Sequence, residues 1–172
     1  MAVFALSVAL FGFRSGGAAD APDAAPEYAL KAAILYNVAL FTDWPRGLGE
    51  EVVLCVLGSE AFGPELDALN GEPVGPRRMA VRRLARLDPL AECNLVFISR
   101  AAREALPGVL SSLADRPVLT VADSPGAARA GAGIYLGVEA ARPTLEINLK
   151  AVRASGLSLS SKLLRLAREV YE

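Results

Sequence analysis

The fold is constrained most by short, uninterrupted apolar runs that alternate with segments of helical patterning. The runs cover residues 52–57, 94–99 and 117–123. Runs of this length, bounded by glycine or polar residues, are typical of strands that are buried on both faces. Residues 61–69 and 101–113, which lie between the runs, have the patterning of helices. This alternation predicts a largely parallel sheet that is covered by helices on both faces.

Both ends of the domain are predicted to be helical. Residues 26–45 carry apolar side chains at steps of three and four and end at Pro45, which indicates a first helix. Residues 158–172 show similar spacing and predict a closing amphipathic helix. The predicted buried stripes consist of Leu30, Ile34, Asn37, Val38 and Phe41 in the first helix, and of Leu159, Leu163, Leu166 and Val170 in the last.

Alternating polar and apolar residues predict the remaining strands. Residues 77–84 (RRMAVRRL) suit a half-exposed strand near a sheet edge, and residues 133–149 suit a β-hairpin with a turn around 140–142. Residues 124–131 are expected to form a short helix or turn with Ser124 as its N-cap. The predicted fold is therefore a single-domain, three-layer α/β sandwich. Its mostly parallel central sheet carries the C-terminal antiparallel hairpin at the edge.

The N-terminus has the pattern of a secretory signal peptide. Residues 2–13 form an apolar run of about 12 residues, shorter than the roughly 20 that a membrane-spanning helix needs. Small residues follow, with G-A-A at 17–19 and A-D-A at 19–21. A positively charged start is missing, which a start codon upstream of Met1 would supply; an uncleaved anchor is the alternative. We expect a signal peptide over 1–21, a flexible tether over 22–26 and one exported, soluble domain over 27–172.

The composition excludes several kinds of enzyme. The chain contains no histidine, which removes the usual serine and cysteine triads and histidine-ligated metal sites. A net charge of −1 argues against nucleic-acid binding. Gly58 and Gly63 have the spacing of a phosphate-binding loop, but Pro64 and Glu65 stand where lysine and serine or threonine are required. We therefore expect no catalytic group, cofactor or metal, and a role in binding or regulation.

The two cysteines, Cys55 and Cys93, are candidates for a disulfide. Cys55 lies inside one predicted strand and Cys93 directly precedes another, and these two strands could be neighbours in a doubly wound sheet. In an exported protein, two cysteines are expected to pair. A closed loop of about 39 residues would contribute roughly 4 kcal/mol in the chain-entropy description. The alternative is a reactive thiol, but Cys55 lacks a histidine or helix N-terminus that would lower its pKa.

Four side chains of the helical segments are candidates for structural or interface roles. Tyr36 and Asn37 interrupt the first helix, and Asn37 falls within the apolar stripe, where a buried amide needs hydrogen-bond partners. Trp44 either anchors an interface or covers one end of the core. Lys162 has no serine at the spacing that Ser-x-x-Lys catalysis requires, so we assign it a structural role beside the Ser158 or Ser160 cap of the last helix.

The hairpin carries the densest unexplained polarity. Arg142, Glu146 and Asn148 are at even positions and could project from one face, with Arg142 and Glu146 paired. This face is either a solvated edge or a recognition surface for another protein.

The order of several sequence blocks resembles the YfiR/HmsC family of small periplasmic proteins. The resemblance covers residues 27–170, and the blocks are LKAAILYNVALFTDWP, VVLCVLGSEAFG, CNLVFIS, PVLTVAD, TLEINL and LSLSSKLLRLA. It implies an α/β sandwich, a periplasmic location and a disulfide between Cys55 and Cys93. It also implies a homodimer, which is typical of the family. A second cysteine pair found in some family members has no counterpart here.

The same resemblance implies a regulatory function. Family members hold an inner-membrane diguanylate cyclase inactive from the periplasmic side, and an outer-membrane peptidoglycan-binding lipoprotein can sequester the repressor. Release of the cyclase then raises cyclic di-GMP and biofilm formation. The resemblance does not assign the residues that contact a partner, and we take Trp44 and the three polar hairpin residues as candidates for these contacts.

Two other functions remain open at this point. The partner could be another membrane signalling protein, such as a histidine kinase. The protein could also bind a small ligand at the carboxyl ends of its strands, near Gly58, Ser99 and Asp123. Few charged groups are expected there, so such a ligand would be apolar or aromatic.

Overall fold

The structure is a computed structural model that describes residues 24–59, 62–85 and 88–172. The predicted signal peptide lies outside these residues, and the first helix begins at Ala24, within the predicted tether. In the part of the chain that is described, no helix is both long and apolar enough to cross a membrane.

Strands and helices alternate over most of the chain. In chain order the strands of the described residues are β1 (Thr42–Asp43), β2 (Glu51–Leu57), β3 (Pro73–Val74), β4 (Arg77–Leu84), β5 (Leu95–Ile98), β6 (Leu119–Ala122), β7 (Ile134–Glu139), β8 (Arg142–Asn148), β9 (Ser158–Leu159) and β10 (Ala167–Tyr171). The α-helices are α1 (Ala24–Leu40), α2 (Pro64–Asp67), α3 (Leu106–Ser112), α4 (Leu149–Ala154) and α5 (Ser161–Leu164), while Asp88–Glu92 and Arg100–Ala105 form 3₁₀ helices.

Eight strands form one sheet in the order β10-β8-β7-β6-β5-β2-β4-β3. Strands β4, β2, β5, β6 and β7 run parallel, as the buried apolar runs predict. Numbered by their order in the chain, these five strands have the doubly wound order 2-1-3-4-5. In such a sheet the strand order reverses between the first and third strands, here β2 and β5, and ligands bind outside their carboxyl ends.

Helices cover both faces of the sheet, which confirms the three-layer prediction. Along β2, Val52, Leu54 and Val56 pack into one apolar cluster with α1, α2, α4 and α5. The alternate residues of β2 pack into a second cluster with α3 and the 3₁₀ helices. Cys55 lies in this second cluster and is bonded to Cys93, with a Cα–Cα distance of 5.8 Å. The predicted disulfide is therefore present, and β2 and β5 are neighbours.

The first helix differs from its prediction in end point and buried face. It ends at Leu40, and Thr42–Asp43 pairs with Ser158–Leu159 as a two-stranded sheet, so Pro45 follows the helix without ending it. The fully buried residues are Lys31, Ala32, Leu35, Val38 and Ala39. Of the predicted stripe, only Val38 is fully buried, and the other four residues are half-buried. The buried face is rotated by about one residue from the predicted stripe and includes Lys31, which the prediction did not contain.

The C-terminal segment contradicts the predicted amphipathic helix. It forms β9, one turn of helix in α5 and then β10, which pairs with β8 in parallel. Leu159 and Leu163 are buried as predicted, but Leu166 and Val170 are exposed. Because β10 lies outside β8, the predicted hairpin is not at the sheet edge. Backbone pairing with β8 overrides the helix-like spacing of this segment.

The predicted strand over 77–84 and the hairpin are confirmed, whereas the predicted helix over 61–69 is shorter and the Ser124 cap is wrong. Strand β4 spans the predicted 77–84 segment and has only the two-residue β3 outside it. The β7–β8 hairpin is confirmed, with Ala140 and Ala141 both at positive φ in its two-residue turn. The described helix within 61–69 is a single turn, α2, which begins at Pro64. Ser124 does not cap a helix, since its buried hydroxyl has no hydrogen-bond partner and a turn follows.

Candidate functional site

The candidate site lies where β2, β5 and β6 end, below the N-terminal half of α1. Gly58, Ser99 and Asp123 directly follow these three strands. Ser99 and Asp123 are fully buried. Phe97 and Val121 belong to the cluster on the α1 side of the sheet. Because side chains alternate along a strand, Ser99 and Asp123 also face α1.

A buried ion pair joins α1 to the end of β6. Lys31 Nζ lies 2.6 Å from Asp123 Oδ2, and neither side chain is exposed to solvent. The same ammonium lies 2.5 Å from Glu27 Oε1, one helical turn earlier. Tyr28 donates its hydroxyl to Asp123 Oδ2 at 3.0 Å, and its ring centroid lies 4.2 Å from Lys31 Nζ. The buried ammonium is therefore paired with two carboxylates, which compensates for the loss of its hydration.

Tyr28 responds to this environment. Burial raises the pKa of its phenol well above the ordinary value, and the neighbouring Asp123 carboxylate raises it further. Its ring packs edge-to-face on Phe62, with centroids 4.8 Å apart. Tyr28 therefore stays protonated and donates to Asp123 over the physiological pH range.

Three buried oxygen atoms of the site lack a hydrogen-bond partner. They are Ser99 Oγ, Asp123 Oδ1 and Ser124 Oγ. Ser99 and Asp123 extend the register in which Ile98 of β5 lies opposite Ala122 of β6, so their side chains are neighbours across the two strands. Buried polar groups of this kind are normally satisfied by ordered water or by a polar ligand atom. Asp123 Oδ1 can accept a hydrogen bond from such a group. The hydroxyls of Ser99 and Ser124 can each donate or accept one.

Gly58 allows the end of β2 to lie close to the end of β5. Its φ of +71° lies in the left-handed region, and a Cβ placed there would come within 2.2 Å of Ser99 Oγ. Only glycine fits between these two strands without moving Ser99. Gly58 therefore serves the close approach of β2 and β5.

The prediction of few charged groups near Gly58, Ser99 and Asp123 is wrong. Lys31 and Glu27 reach the site from α1, and Asp123 is ionically paired within it. One sequence signal could have found Lys31, which stands four and seven residues before the buried Leu35 and Val38. A lysine on the core-facing stripe of a helix needs a buried partner. A ligand at this site would consequently be polar.

The polar residues of the hairpin have partners within the chain. Arg168 of β10 donates to Glu146 Oε1 at 2.6 Å and Tyr171 donates to Glu146 Oε2 at 3.0 Å. The predicted Arg142–Glu146 pair is therefore replaced by contacts to β10. Arg142 is exposed and lies opposite Glu139 in the hairpin register.

Asn148 closes the first turn of α4. Its Oδ1 accepts from the backbone N–H of Ala151 at 2.9 Å, and its Nδ2 donates to the carbonyl of Ala128 at 2.8 Å. Arg129, next to Ala128, donates to Tyr171 and to Glu169 of β10. The hairpin and β10 thus share one polar network on the face opposite α1.

The four predicted structural or interface residues of the helical segments lie outside the candidate site. Tyr36 donates to the carbonyl of Pro73 at 2.7 Å, and Asn37 Nδ2 donates to Ala33 at 3.1 Å. The half-buried Trp44 donates to the carbonyl of Ala39 at 2.9 Å. Lys162 is exposed, with Nζ 5.9 Å from the ring centroid of Phe41. Three of these four side chains thus have hydrogen-bond partners that fit structural roles.

Trp44 and the hairpin are on different sides of the molecule. Trp44 lines a shallow cleft with Pro76 and Arg77, at the start of β4. Five strand steps separate β4 from β8 in the sheet order, which corresponds to about 24 Å at a strand spacing of roughly 4.8 Å. The structure therefore does not bring Trp44 together with Arg142, Glu146 and Asn148. Their roles as partner contacts stay predictions.

Fold and site together define a doubly wound α/β domain with a disulfide in one core and a buried polar cluster at the carboxyl ends of its strands. The profile of the YfiR/HmsC-like family matches residues 28–168, and the chain belongs to this family. Family membership supports a periplasmic, regulatory role in cyclic di-GMP signalling. Members of the family are regulatory and not catalytic.

A solved structure shares the fold. The chain is similar to a conserved domain protein from Vibrio cholerae O1 biovar El Tor, with a TM-score of 0.52 and 10% sequence identity. The match covers 83% of this chain and 60% of the Vibrio chain. At this identity the likeness concerns the fold alone.

Proposed function

We propose that the protein represses an inner-membrane diguanylate cyclase by binding its periplasmic segment, and so lowers cyclic di-GMP and biofilm formation. The observation that carries this proposal is the family match over residues 28–168. In this proposal residues 1–21 direct export, and the folded domain acts in the periplasm. An outer-membrane peptidoglycan-binding lipoprotein would compete for the repressor and release the cyclase.

Repression would work by a shift of population. A regulator that binds the inactive arrangement of the cyclase more tightly than the active one favours the inactive form. Moving the equilibrium from 1:99 to 99:1 requires about 5.5 kcal/mol of differential binding free energy. A rigid domain suits this task because little binding energy is lost in ordering it. The disulfide between Cys55 and Cys93 holds β2 to the segment that precedes β5 and contributes to that rigidity.

We place the cyclase contact at the hairpin end of the sheet. Among the four candidate contacts, Arg142 is exposed, whereas Trp44 and Asn148 are half-buried and Glu146 is buried. Glu146 and Asn148 make hydrogen bonds within the chain and would support the contact surface without forming it themselves. Arg142 is thus the residue whose charge a partner would meet first.

The experiment is crosslinking of a tagged copy in living cells, followed by mass spectrometry. The expected product is a membrane protein with a cytoplasmic cyclase domain. Arg142→Glu should lower the yield of this crosslinked product. The control is Arg103→Glu, which makes the same charge change at an exposed residue on the 3₁₀ helix after β5. Recovery of only cell-wall or soluble components would contradict the proposal. Recovery of a histidine kinase would replace the cyclase by another signalling protein.

One observation favours a second function, the binding of a small polar ligand. The oxygens of Ser99, Asp123 and Ser124 are buried without a hydrogen-bond partner at the end of the sheet, and a polar ligand that entered there would satisfy them. A thermal-shift screen with small polar metabolites tests this function. A shift that is lost in Ser99→Ala would support it, and the absence of any shift would count against it.

A further inference from the structure

Basic residues are concentrated in one segment near the C-terminus. Residues 147–168 contain five lysines and arginines and no aspartate or glutamate. The whole chain has 18 basic and 19 acidic residues, so the remainder of the chain carries a net charge of −6. Charge asymmetry of this kind indicates a negatively charged partner, such as a membrane surface. The five basic residues are Lys150, Arg153, Lys162, Arg165 and Arg168.

Four of these five side chains are exposed and form two pairs. Lys150 and Arg153 lie three residues apart in α4, and Lys162 and Arg165 lie three residues apart at α5. Residues at this spacing are neighbours on one face of a helix. Arg168 differs, because it is ion-paired within the polar network of the hairpin. We call the two exposed pairs the basic surface.

The cations of the basic surface are poorly compensated within the chain. In the part of the chain that the structure describes, Lys150, Lys162 and Arg165 form no ion pair. Arg153 approaches Glu172 only to 4.0 Å, and both side chains are mostly exposed. The positive charge of this surface is therefore available to an external partner.

The two pairs lie on the same side of the sheet. Leu149 and Val152 of α4 and Leu163 of α5 are buried in the cluster on the α1 side. The end of β10 reaches α4, since Tyr171 lies opposite Asn148, the N-cap of α4. Helix α5 directly precedes the start of β10. The two pairs are thus separated by the length of this five-residue strand, which is about 17 Å.

Exposed apolar side chains adjoin the basic surface. The large apolar residues that are exposed in the described part of the chain are Leu40, Leu166 and Val170. Leu166 directly follows Arg165 and is 61% exposed. Leu40 precedes Phe41, whose carbonyl accepts from the backbone N–H of Ser160, the N-cap of α5. Apolar side chains from α1 and from the α5 turn therefore lie beside the lysines and arginines.

We propose that the basic surface docks the protein onto an anionic phospholipid membrane. Its four cations meet the lipid phosphate groups, and Leu40 and Leu166 enter the headgroup region. Exposed lysine and arginine combined with exposed leucine are typical of proteins that lie on a membrane surface. The acidic remainder of the chain is repelled by the same lipids, so the protein is oriented with α4 and α5 towards the membrane.

The lack of fixed geometry favours lipid over an acidic protein as the partner. Sites that recognise a particular carboxylate hold their cations with neighbouring groups. Lys150 and Lys162 instead carry point charges on flexible stems, and no hydrogen bond to either is present in the described residues. Such side chains suit a fluid layer of phosphate groups, which requires no register.

The docking is weak and reversible, since stable anchoring to a membrane needs a second signal. In the proposed function the second contact is the cyclase, and docking would raise the local concentration of the repressor beside it. Only this consequence rests on the proposed function. The docking itself is measured with protein-free lipid vesicles and does not depend on a cyclase.

The test is flotation of the purified protein with vesicles of defined composition. The protein should float with vesicles made of equal parts of phosphatidylglycerol and phosphatidylcholine, and not with phosphatidylcholine alone. The combination of Lys162→Gln and Arg165→Gln should lower the affinity about 25-fold, since each cation near an anionic surface contributes about 1 kcal/mol. Raising the salt from about 0.1 M to about 1 M should abolish binding, because the Debye length falls to about 3 Å.

The matched control is the combination of Arg100→Gln and Arg103→Gln. These two exposed arginines are also three residues apart, on the 3₁₀ helix that packs against the second cluster. The control removes the same net charge from the other side of the sheet and should leave the affinity unchanged. Leu166→Ser should weaken binding without changing the charge. Circular dichroism checks that every variant is folded.

Three results would overturn the inference. A wild-type protein that does not float with anionic vesicles at about 0.1 M salt would exclude lipid as the partner. Undiminished binding by the Lys162 and Arg165 double variant would place the contact elsewhere. Equal losses in this variant and in the control would show that net charge, and not the basic surface, determines binding.

Cyclic di-GMP in cells separates this inference from the proposed repression. Vesicle binding by a protein whose gene deletion leaves cyclic di-GMP unchanged would support the docking and contradict the repression. A wild type that ignores vesicles, with repression lost in the Lys162 and Arg165 double variant, would assign the surface to an acidic protein instead.

Discussion

Lys31 and Asp123, which are 92 residues apart in sequence, form a buried hydrogen bond of 2.6 Å between α1 and the end of β6. Neither side chain reaches solvent. A buried pair of this kind contributes little net stability when it is intact, yet removal of one partner leaves the other buried charge poorly compensated. The pair therefore fixes where α1 sits on the sheet more than it adds to the free energy of folding.

Asp123→Asn should be strongly destabilising. Lys31 would keep only Glu27, whose side chain is 31% exposed, and loss of one buried partner costs about 3–5 kcal/mol. The double change of Lys31→Met and Asp123→Leu should cost much less, since it removes both charges. Urea denaturation measures the three free energies of unfolding.

The exposed Arg83–Asp67 pair is the control for this comparison, because Asp67 is 64% exposed. Asp67→Asn should change the free energy of unfolding by no more than about 1 kcal/mol. If Asp123→Asn were as mild as Asp67→Asn, the buried pair would not hold α1 as described.

Gly58→Ala should be more destabilising than Gly71→Ala. Both glycines have positive φ, so each alanine incurs backbone strain of about 1–2 kcal/mol. At Gly58 the new Cβ would also approach Ser99 Oγ to 2.2 Å, whereas at Gly71 nothing lies within 4 Å. Thermal unfolding of the two variants measures the difference. Ser99→Gly in the Gly58→Ala background should recover part of the loss, and equal effects at both glycines would refute the close approach of β2 and β5.

Removal of the disulfide should lower stability without changing the fold. The bond closes a loop with a sequence separation of 38 residues, which corresponds to about 4 kcal/mol in the chain-entropy description. The double variant Cys55→Ala and Cys93→Ala should unfold at a lower denaturant concentration. It should also be insensitive to reductant, whereas reductant should shift the wild type towards it. Two reactive thiols in the unreduced, unfolded wild type would show that the bond does not form.

Stability should fall at alkaline pH, in part because of Tyr28. Burial, and secondly Asp123, raises the pKa of Tyr28 above its ordinary value of 10.0. Above about pH 10 the unfolded chain has lost this proton while the folded chain keeps it, so stability decreases as pH rises. Tyr28→Phe should flatten this decrease.

Chemical denaturation at several pH values measures the slope for each variant. Tyr36→Phe, which removes a hydroxyl bonded to the carbonyl of Pro73, is the control for loss of a tyrosine hydroxyl. An identical alkaline slope in Tyr28→Phe and wild type would contradict the description of the site.

The parallel core could be predicted because its strands carry their own signal. The apolar runs that became β2, β5 and β6 are buried on both faces, so every residue contributes to the pattern. The disulfide followed from the same strands, since Cys55 and Cys93 lie where β2 and β5 become neighbours.

The last segment could not be predicted from local spacing. Leu159, Leu163, Leu166 and Val170 recur at steps of three and four, which suits a helix, but Leu166 and Val170 are exposed. Strand β10 forms because β8 offers it a backbone edge, and that edge is made by residues more than twenty positions earlier. Strand formation depends on such context more than helix formation does.

The candidate site was located by topology, but its chemistry was missed. The crevice outside β2, β5 and β6 follows from the strand order, so Gly58, Ser99 and Asp123 were found. The partner of Asp123 comes from α1, and no local pattern links two residues 92 positions apart. The position of Lys31 on the buried stripe of its helix was the one available clue.

The most direct test of the proposed regulation is to measure the concentration of cyclic di-GMP in cells that lack the gene. Deletion should raise cyclic di-GMP, and a complementing copy should lower it again. A copy without residues 1–21 should fail to complement, because repression acts from the periplasm in this account. Unchanged cyclic di-GMP across growth conditions, or full complementation by the unexported copy, would contradict it.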